Sequence, residues 1–124
     1  MEGQREGLRR DESFPRRYRL GGNRNYRYVY RRGKSFPSRN VVLIYLKGRE
    51  QRFGFSVSGK VGNAVARNRI RRCMREDVRR MRASLKRGKY VFIARQGILD
   101  VPHAALTKEL RRLLSRANLL KEEM

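Results

Sequence analysis

Apolar residues recur along this chain in two rhythms, and each predicts a kind of element. Val41-Val42-Leu43-Ile44-Tyr45-Leu46 is an unbroken, β-branched run too short for a helix. It reads as a strand covered on both faces. Residues 52–58 alternate instead. Phe53, Phe55 and Val57 point one way, and Arg52, Gly54, Ser56 and Ser58 the other. The small residues of that second face leave room for a ligand or another backbone. Tyr90-Val91-Phe92-Ile93-Ala94 predicts a third strand, and Lys34-Ser35-Phe36-Pro37 a short edge strand ended by proline. Lys47-Gly48-Arg49-Glu50 reads as a hairpin connection.

The helical rhythm appears three times. Ala66, Ile70, Cys73, Met74, Met81 and Leu85 lie on one stripe of a helix predicted over about 64–85, with Asn63 as its N-cap and Gly88 near its end. Ala105, Leu106, Leu110, Leu113, Leu114 and Ala117 form the stripe of a last helix, which Asp100 is placed to cap with Pro102 in the first turn. Residues 23–32 form a shorter helix stopped by Gly33, with Tyr26 and Tyr30 four apart on one face and Val29 nearby. The order helix, three strands, helix, strand, helix predicts an α+β fold, one sheet with helices packed on it. Residues 13–124 are assigned to one domain. Residues 1–12 lack periodicity and read as a disordered basic arm.

Charge changes the meaning of the central helix. The 124-residue chain carries a formal net charge of +22. Arg67, Arg69, Arg71, Arg72, Arg75, Arg79, Arg80 and Arg82 crowd one helix, opposed only by Glu76 and Asp77. Like charges three and four apart repel, and a merely solvated face normally alternates in sign. A face this one-sided predicts a polyanion, most simply a nucleic acid. No apolar run approaches the roughly 20 residues of a membrane span. The charged first residues predict no signal peptide. The single cysteine, Cys73, lies on the apolar stripe and reads as core filler in a reducing cytoplasm.

No catalytic constellation is legible on the polypeptide. His103 stands alone and reads as an exposed or capping histidine. No Cys/His cluster has metal spacing. Adjacent Glu76 and Asp77 diverge by about 100° on a helix. The run Ser56-Val57-Ser58-Gly59-Lys60 lacks the spacing of a phosphate-binding loop. No catalytic or metal-binding side chain is therefore expected. Tyr26 and Tyr30, interleaved with Arg24, Arg27, Arg31 and Arg32, fit two roles: anchors of the helix on the core, or a stacking platform for unpaired bases.

From Val61 to Arg75 the sequence resembles the signature of the bacterial ribonuclease P protein subunit. The residues that carry the resemblance are Gly62-Asn63-Ala64-Val65, Arg67-Asn68-Arg69, Ile70-Arg71-Arg72 and Arg75. Ser13-Phe14-Pro15, Gly33-Lys34-Ser35, Arg39 and Ile93-Ala94-Arg95 extend it over about 105 residues. The resemblance implies a two-layer α/β sandwich of αβββαβα order, ribosomal-protein-S5-domain-2-like, with a left-handed βαβ crossover against the usual rule. It implies a subunit that binds a catalytic RNA 1:1 and helps it remove the 5′ leader of precursor tRNA, with hydrolysis carried out by the RNA and Mg²⁺. It assigns Lys60, Arg67, Asn68, Arg69, Arg71, Arg72 and Arg75 to the catalytic RNA. It assigns Tyr26, Tyr30, Val42, Ile44, Ser56, Ser58, Lys60, Arg67 and Asn68 to a leader cleft. Gly59 departs from the family's usual second lysine, and Ile44 stands where some members carry an aromatic. The alternatives carried forward are an rRNA-binding ribosomal protein and a basic DNA-binding module.

Overall fold

The computed structural model describes residues 15–121; the predicted arm over 1–12 lies outside the described residues. The chain runs α1 (Asn23–Arg32), β1 (Lys34–Pro37), β2 (Val41–Leu46), β3 (Arg52–Ser56), α2 (Ala64–Met81), β4 (Lys89–Ala94) and α3 (His103–Arg116). Short 3-10 turns occupy Arg16–Tyr18, Arg82–Ser84 and Gln96–Asp100. The expected αβββαβα order is found.

The sheet order is β1-β2-β4-β3. This corrects the expected hairpin between β2 and β3. β4 inserts between them, antiparallel to β2 and parallel to β3, so residues 47–51 cross over a strand position. The physical reason is burial. In the centre, Tyr90, Val91 and Phe92 of β4 are fully covered on both faces.

Alternation along the strands divides the sheet into two unlike faces. Val41, Leu43, Phe53, Tyr90 and Phe92 meet Ile70, Met74, Val78 and Met81 of α2 and Leu106, Leu110, Leu113 and Leu114 of α3. Phe53 stacks on Tyr90 with centroids 4.9 Å apart, and Phe55 on Phe92 at 5.6 Å. Each buried side chain of this size contributes about 1.5–3 kcal/mol. Among the described residues the opposite face carries only α1, whose Val29 packs with Leu20 and Val91, helped by Tyr26, Ile44, Leu46 and Ile93. A ten-residue helix cannot roof a four-stranded sheet, and part of this face stays open.

Several local expectations are revised by long-range packing. α2 stops at Met81 rather than Leu85. The chain tightens into a 3-10 turn, and Leu85 enters the core from an extended segment that bridges to Leu120. Gly88 is not a helix cap. It sits at φ 140°, where a Cβ would stand 2.5 Å from the Tyr45 ring. Asp100 does not cap α3; it ends a 3-10 turn, and α3 starts after Pro102 with no side-chain cap. Ala105, expected on the apolar stripe, is exposed. Asp77 does not oppose the arginines. It is buried between α2 and α3, where it accepts from Thr107 Oγ1 at 2.8 Å and meets His103 Nε2 at 3.1 Å. Glu109 of α3 latches the β1–β2 connection, accepting from the Asn40 amide and Asn40 Nδ2, both at 2.7 Å, and from Ser38 Oγ at 2.5 Å.

Candidate nucleic-acid interface

The turn before α2 is built to begin a helix. Asn63 Oδ1 accepts from the Ala66 amide at 2.9 Å, as the N-cap reading requires. Arg67 then reaches back, and its Nη1 donates to the Gly62 carbonyl at 2.8 Å. Gly62 is closely packed: a Cβ there would meet the Ala66 Cβ at 3.2 Å and Leu99 at 3.4 Å. Lys60 is exposed at the tip, its amide donating to Ser58 Oγ at 3.3 Å.

The signature residues diverge once α2 is wound. Arg67, Arg71 and Arg75 recur every fourth position along one flank of α2, and Arg71 and Arg75 come near Tyr26 of α1. Arg71 Nη1 donates to Asn68 Oδ1 at 2.9 Å, and its Nη2 donates to the Val57 carbonyl just past β3 at 3.5 Å. Arg72 points outward and is exposed. Arg69 lies on the other flank, in a recess shared with Cys73, Ile98 and His103. Burial raises the Cys73 thiol pKa, against reactivity and in keeping with its reading as filler.

Between α1, β3 and α2 runs a groove of about 480 Å³ lined by Asn23, Tyr26, Arg27 and Tyr30, by Phe55, Ser56 and Val57, and by Arg71. The two tyrosines differ within it. Tyr26 lies on Gly54, where a Cβ would be 2.6 Å from the phenol oxygen, and that oxygen accepts from the Phe55 amide at 3.2 Å. Burial raises its pKa. The room predicted over the small face of β3 is therefore filled at Gly54 by the protein itself and is open only beyond it, at Ser56. Tyr30 stands edge-on to Tyr26, centroids 6.3 Å apart, and is 40% exposed. The pair divides: Tyr26 is packed as an anchor, and Tyr30 leaves its ring exposed.

The structure does not bring all the expected cleft residues together. Ile44 lies beneath α1 with Val29, where its Cγ2 comes within 2.8 Å of an added Cβ on Gly33. Val42 is a strand away, paired with Ile93. Neither lines the groove. Ser58 has left the strand and serves the Lys60 turn. Arg71, expected on the catalytic-RNA side alone, enters the groove. Tyr28 is absent from the sequence reading because it falls outside the four-residue pairing. It sits on the other flank of α1, 40% exposed, between Lys89 and Arg32.

Acid does little to offset this surface. Glu76 is occupied by Arg79 at 2.8 Å and Arg80 at 3.1 Å, and the hydrogen bond from Arg79 holds its carboxyl below the usual range. Asp77 is buried under α2. Among the described residues no three His, Cys, Asp or Glu side chains converge as metal ligands. No helix there is long and apolar enough to cross a membrane. The arrangement offers arginines beside an exposed aromatic ring, chemistry suited to a nucleic-acid strand.

Known proteins show the same arrangement of chain. The family model Ribonuclease P matches residues 14–118. The ribonuclease P protein component of Symbiobacterium thermophilum is 40% identical over 110 residues, covering 86% of this chain and 96% of that protein. That of Exiguobacterium is 36% identical over 108 residues, covering 86% and 95%. Among solved structures, the Staphylococcus aureus RNase P protein superposes with a TM-score of 0.80 at 30% identity, covering 84% of this chain and 98% of that one. The Thermotoga maritima RNase P protein, in complex with a fluorophenyl thiourea, gives 0.74 at 28% identity, covering 79% and 98%. With a family model spanning most of the chain and relatives this similar over nearly their whole length, this chain belongs to the ribonuclease P protein family.

Proposed function

We propose that this chain is the protein subunit of a ribonucleoprotein endoribonuclease that removes the 5′ leader from precursor tRNA. The observation that carries this reading is the groove between α1 and β3, which exposed Tyr30 lines together with Arg27 and Arg71. A single-stranded leader enters it, with a base on the Tyr30 ring and phosphates on the two arginines. Tyr26 holds that wall in place rather than offering a second free face. Arg72, Lys60 and the exposed edge of Asn68 face outward and dock the catalytic RNA, one protein to one RNA, in the cytoplasm. Arg67, partly committed to the Gly62 carbonyl, positions the turn between the two surfaces.

Mg²⁺ belongs in this reading to the catalytic RNA and the substrate, where it supplies the hydrolytic chemistry. The surface around α2 is strongly cationic and would repel a divalent cation. Its own contribution is to neutralise phosphates where the two RNAs approach, which lowers the Mg²⁺ needed for them to associate. The ribosomal-protein alternative gains nothing from the relatives, which carry the ribonuclease P name.

The test is reconstitution. Adding the protein to a bacterial ribonuclease P RNA should speed precursor-tRNA cleavage at low Mg²⁺. Arg72→Ala should weaken assembly with that RNA by about 1–3 kcal/mol. Unchanged cleavage across all protein concentrations would overturn the proposal.

A further inference from the structure

The groove and the signature lie at one end of the sheet; a second basic surface lies at the other. The 3-10 turn at Arg16–Tyr18, the start of β3 and the end of α2 enclose a cleft of about 610 Å³. Arg17, Arg49, Arg82, Arg87 and Lys121 line it. A second cleft of about 420 Å³, lined by Tyr28, Leu46, Lys47 and Lys89, adjoins it, and the two share Arg49, Glu50 and Arg52. Among the described residues Glu50 is the one acid on either wall, and it is already held by Arg52 at 2.6 Å. Arg49, Arg87 and Lys121 meet no acid among the described residues. Concentrating cations in a recess costs free energy by mutual repulsion, and an anionic ligand removes that cost.

Each cleft also carries a tyrosine with two cations within 6 Å of its ring centroid. The Arg82 guanidinium lies 4.0 Å from the Tyr18 ring centroid, with Arg17 at 5.0 Å. Lys89 stands 5.4 Å and Arg32 5.9 Å from the centroid of Tyr28. A ring with a guanidinium laid on it continues as a stack when a base lands on the guanidinium plane. An acidic protein would use the charges but not the planes, and a duplex has no unstacked base to offer them. Fourteen residues of α2 separate Arg67 from Met81, about 21 Å at 1.5 Å per residue, so this surface is distinct from the signature turn.

We propose that the two clefts form one continuous site for a single RNA strand, phosphates on the arginines and lysines and bases on the Arg82–Tyr18 stack and the exposed Tyr28 ring. The site is separate from the groove at Tyr30. It does not require the ribonuclease P reading.

The test uses the full chain alone, titrated with hexauridylate at low salt by calorimetry. Wild type should take up two strands. Arg49→Ala with Arg87→Ala, both side chains exposed and outside the core, should lose at least tenfold in affinity at one site and keep the other. Tyr28→Ser should weaken the same site several-fold, and Arg27→Ala with Tyr30→Ala should remove the other. Circular dichroism confirms that each variant is folded. A single wild-type strand that the Arg27/Tyr30 variant keeps and the Arg49/Arg87 variant loses would support the proposal and count against the groove instead. Stoichiometry and affinity unchanged from wild type in the Arg49/Arg87 variant would overturn it. So would inorganic tripolyphosphate or hexaglutamate binding this site as tightly as the RNA, which would assign it to free oligophosphate or to an acidic protein. Because no catalytic RNA is present, failure here leaves the cleavage test unaffected.

Discussion

The two faces of the sheet are built from the same strands and do different work. On one, two helices of 18 and 14 residues bury a continuous apolar layer from Val41 to Leu119. On the other, one ten-residue helix closes a small cluster of Leu20, Val29 and Val91 and leaves Tyr28 and Tyr30 at the rim. The closed face holds the free energy of folding, because hydrophobic stabilisation scales with the area removed from water. The half-open face keeps aromatic and cationic groups accessible, at the cost of burying less. Stability and strand binding are thus separated by a single β-sheet, and substitutions on its two sides should have separable effects.

The largest effect should come from the closed face. Phe92→Ala removes a fully buried ring stacked on Phe55 and Tyr90 and should cost about 3–5 kcal/mol, read as a lowered urea midpoint. Val29→Ala, the matching deletion under α1, should cost about 2 kcal/mol, from two methyl groups at about 0.8 kcal/mol each and a small cavity. Equal losses at the two sites would break the comparison.

Tyr30→Ala sharpens it in the other direction. Unfolding should change by less than about 0.5 kcal/mol, since the ring is at the rim. Precursor tRNA with a leader of several nucleotides should bind the reconstituted enzyme about 1–3 kcal/mol more weakly, while mature tRNA is unaffected. Tyr26→Phe should behave oppositely. Losing the hydroxyl that accepts from the Phe55 amide should cost about 1 kcal/mol of stability and little leader affinity. Parallel losses in stability and leader binding for both tyrosines would show that the groove is only a packed edge.

The smallest effect concerns acid. Burial opposes the charge on Glu109, but hydrogen bonds from Ser38, from Asn40 and from the Asn40 and Val41 amides outweigh it and hold the pKa below the usual value. A carboxyl depressed on folding stabilises above its unfolded pKa, about 4.3, and loses that contribution as pH falls through the lower folded value. Glu109→Gln should therefore be less stable than wild type by about 1 kcal/mol at neutral pH. The gap in melting temperature should close between about pH 5 and pH 3. A gap independent of pH would place the effect in packing instead.

What the sequence determined by itself is local. The seven elements appear in the expected order because periodicity, the Asn63 cap and β-branched runs act over a few residues. The family resemblance likewise rests on one contiguous signature in residues 61–75. Tertiary structure decided what depends on distant partners. Whether β2 pairs with β3 or with β4 is a competition that no turn residue settles, and the fully buried β4 wins the centre. Asp77 looks like a surface acid in a run of arginines until α3 supplies Thr107 and His103 thirty and twenty-six residues away. Val42 and Ile44 share a strand face with the expected cleft, but α1 lies over Ile44 and the groove opens beside β3 instead. Tyr26 and Tyr30 are indistinguishable as letters four apart. Only Gly54, brought against α1 by the sheet, makes one an anchor and leaves the other exposed, since a missing Cβ matters only to the residue that comes to rest on it.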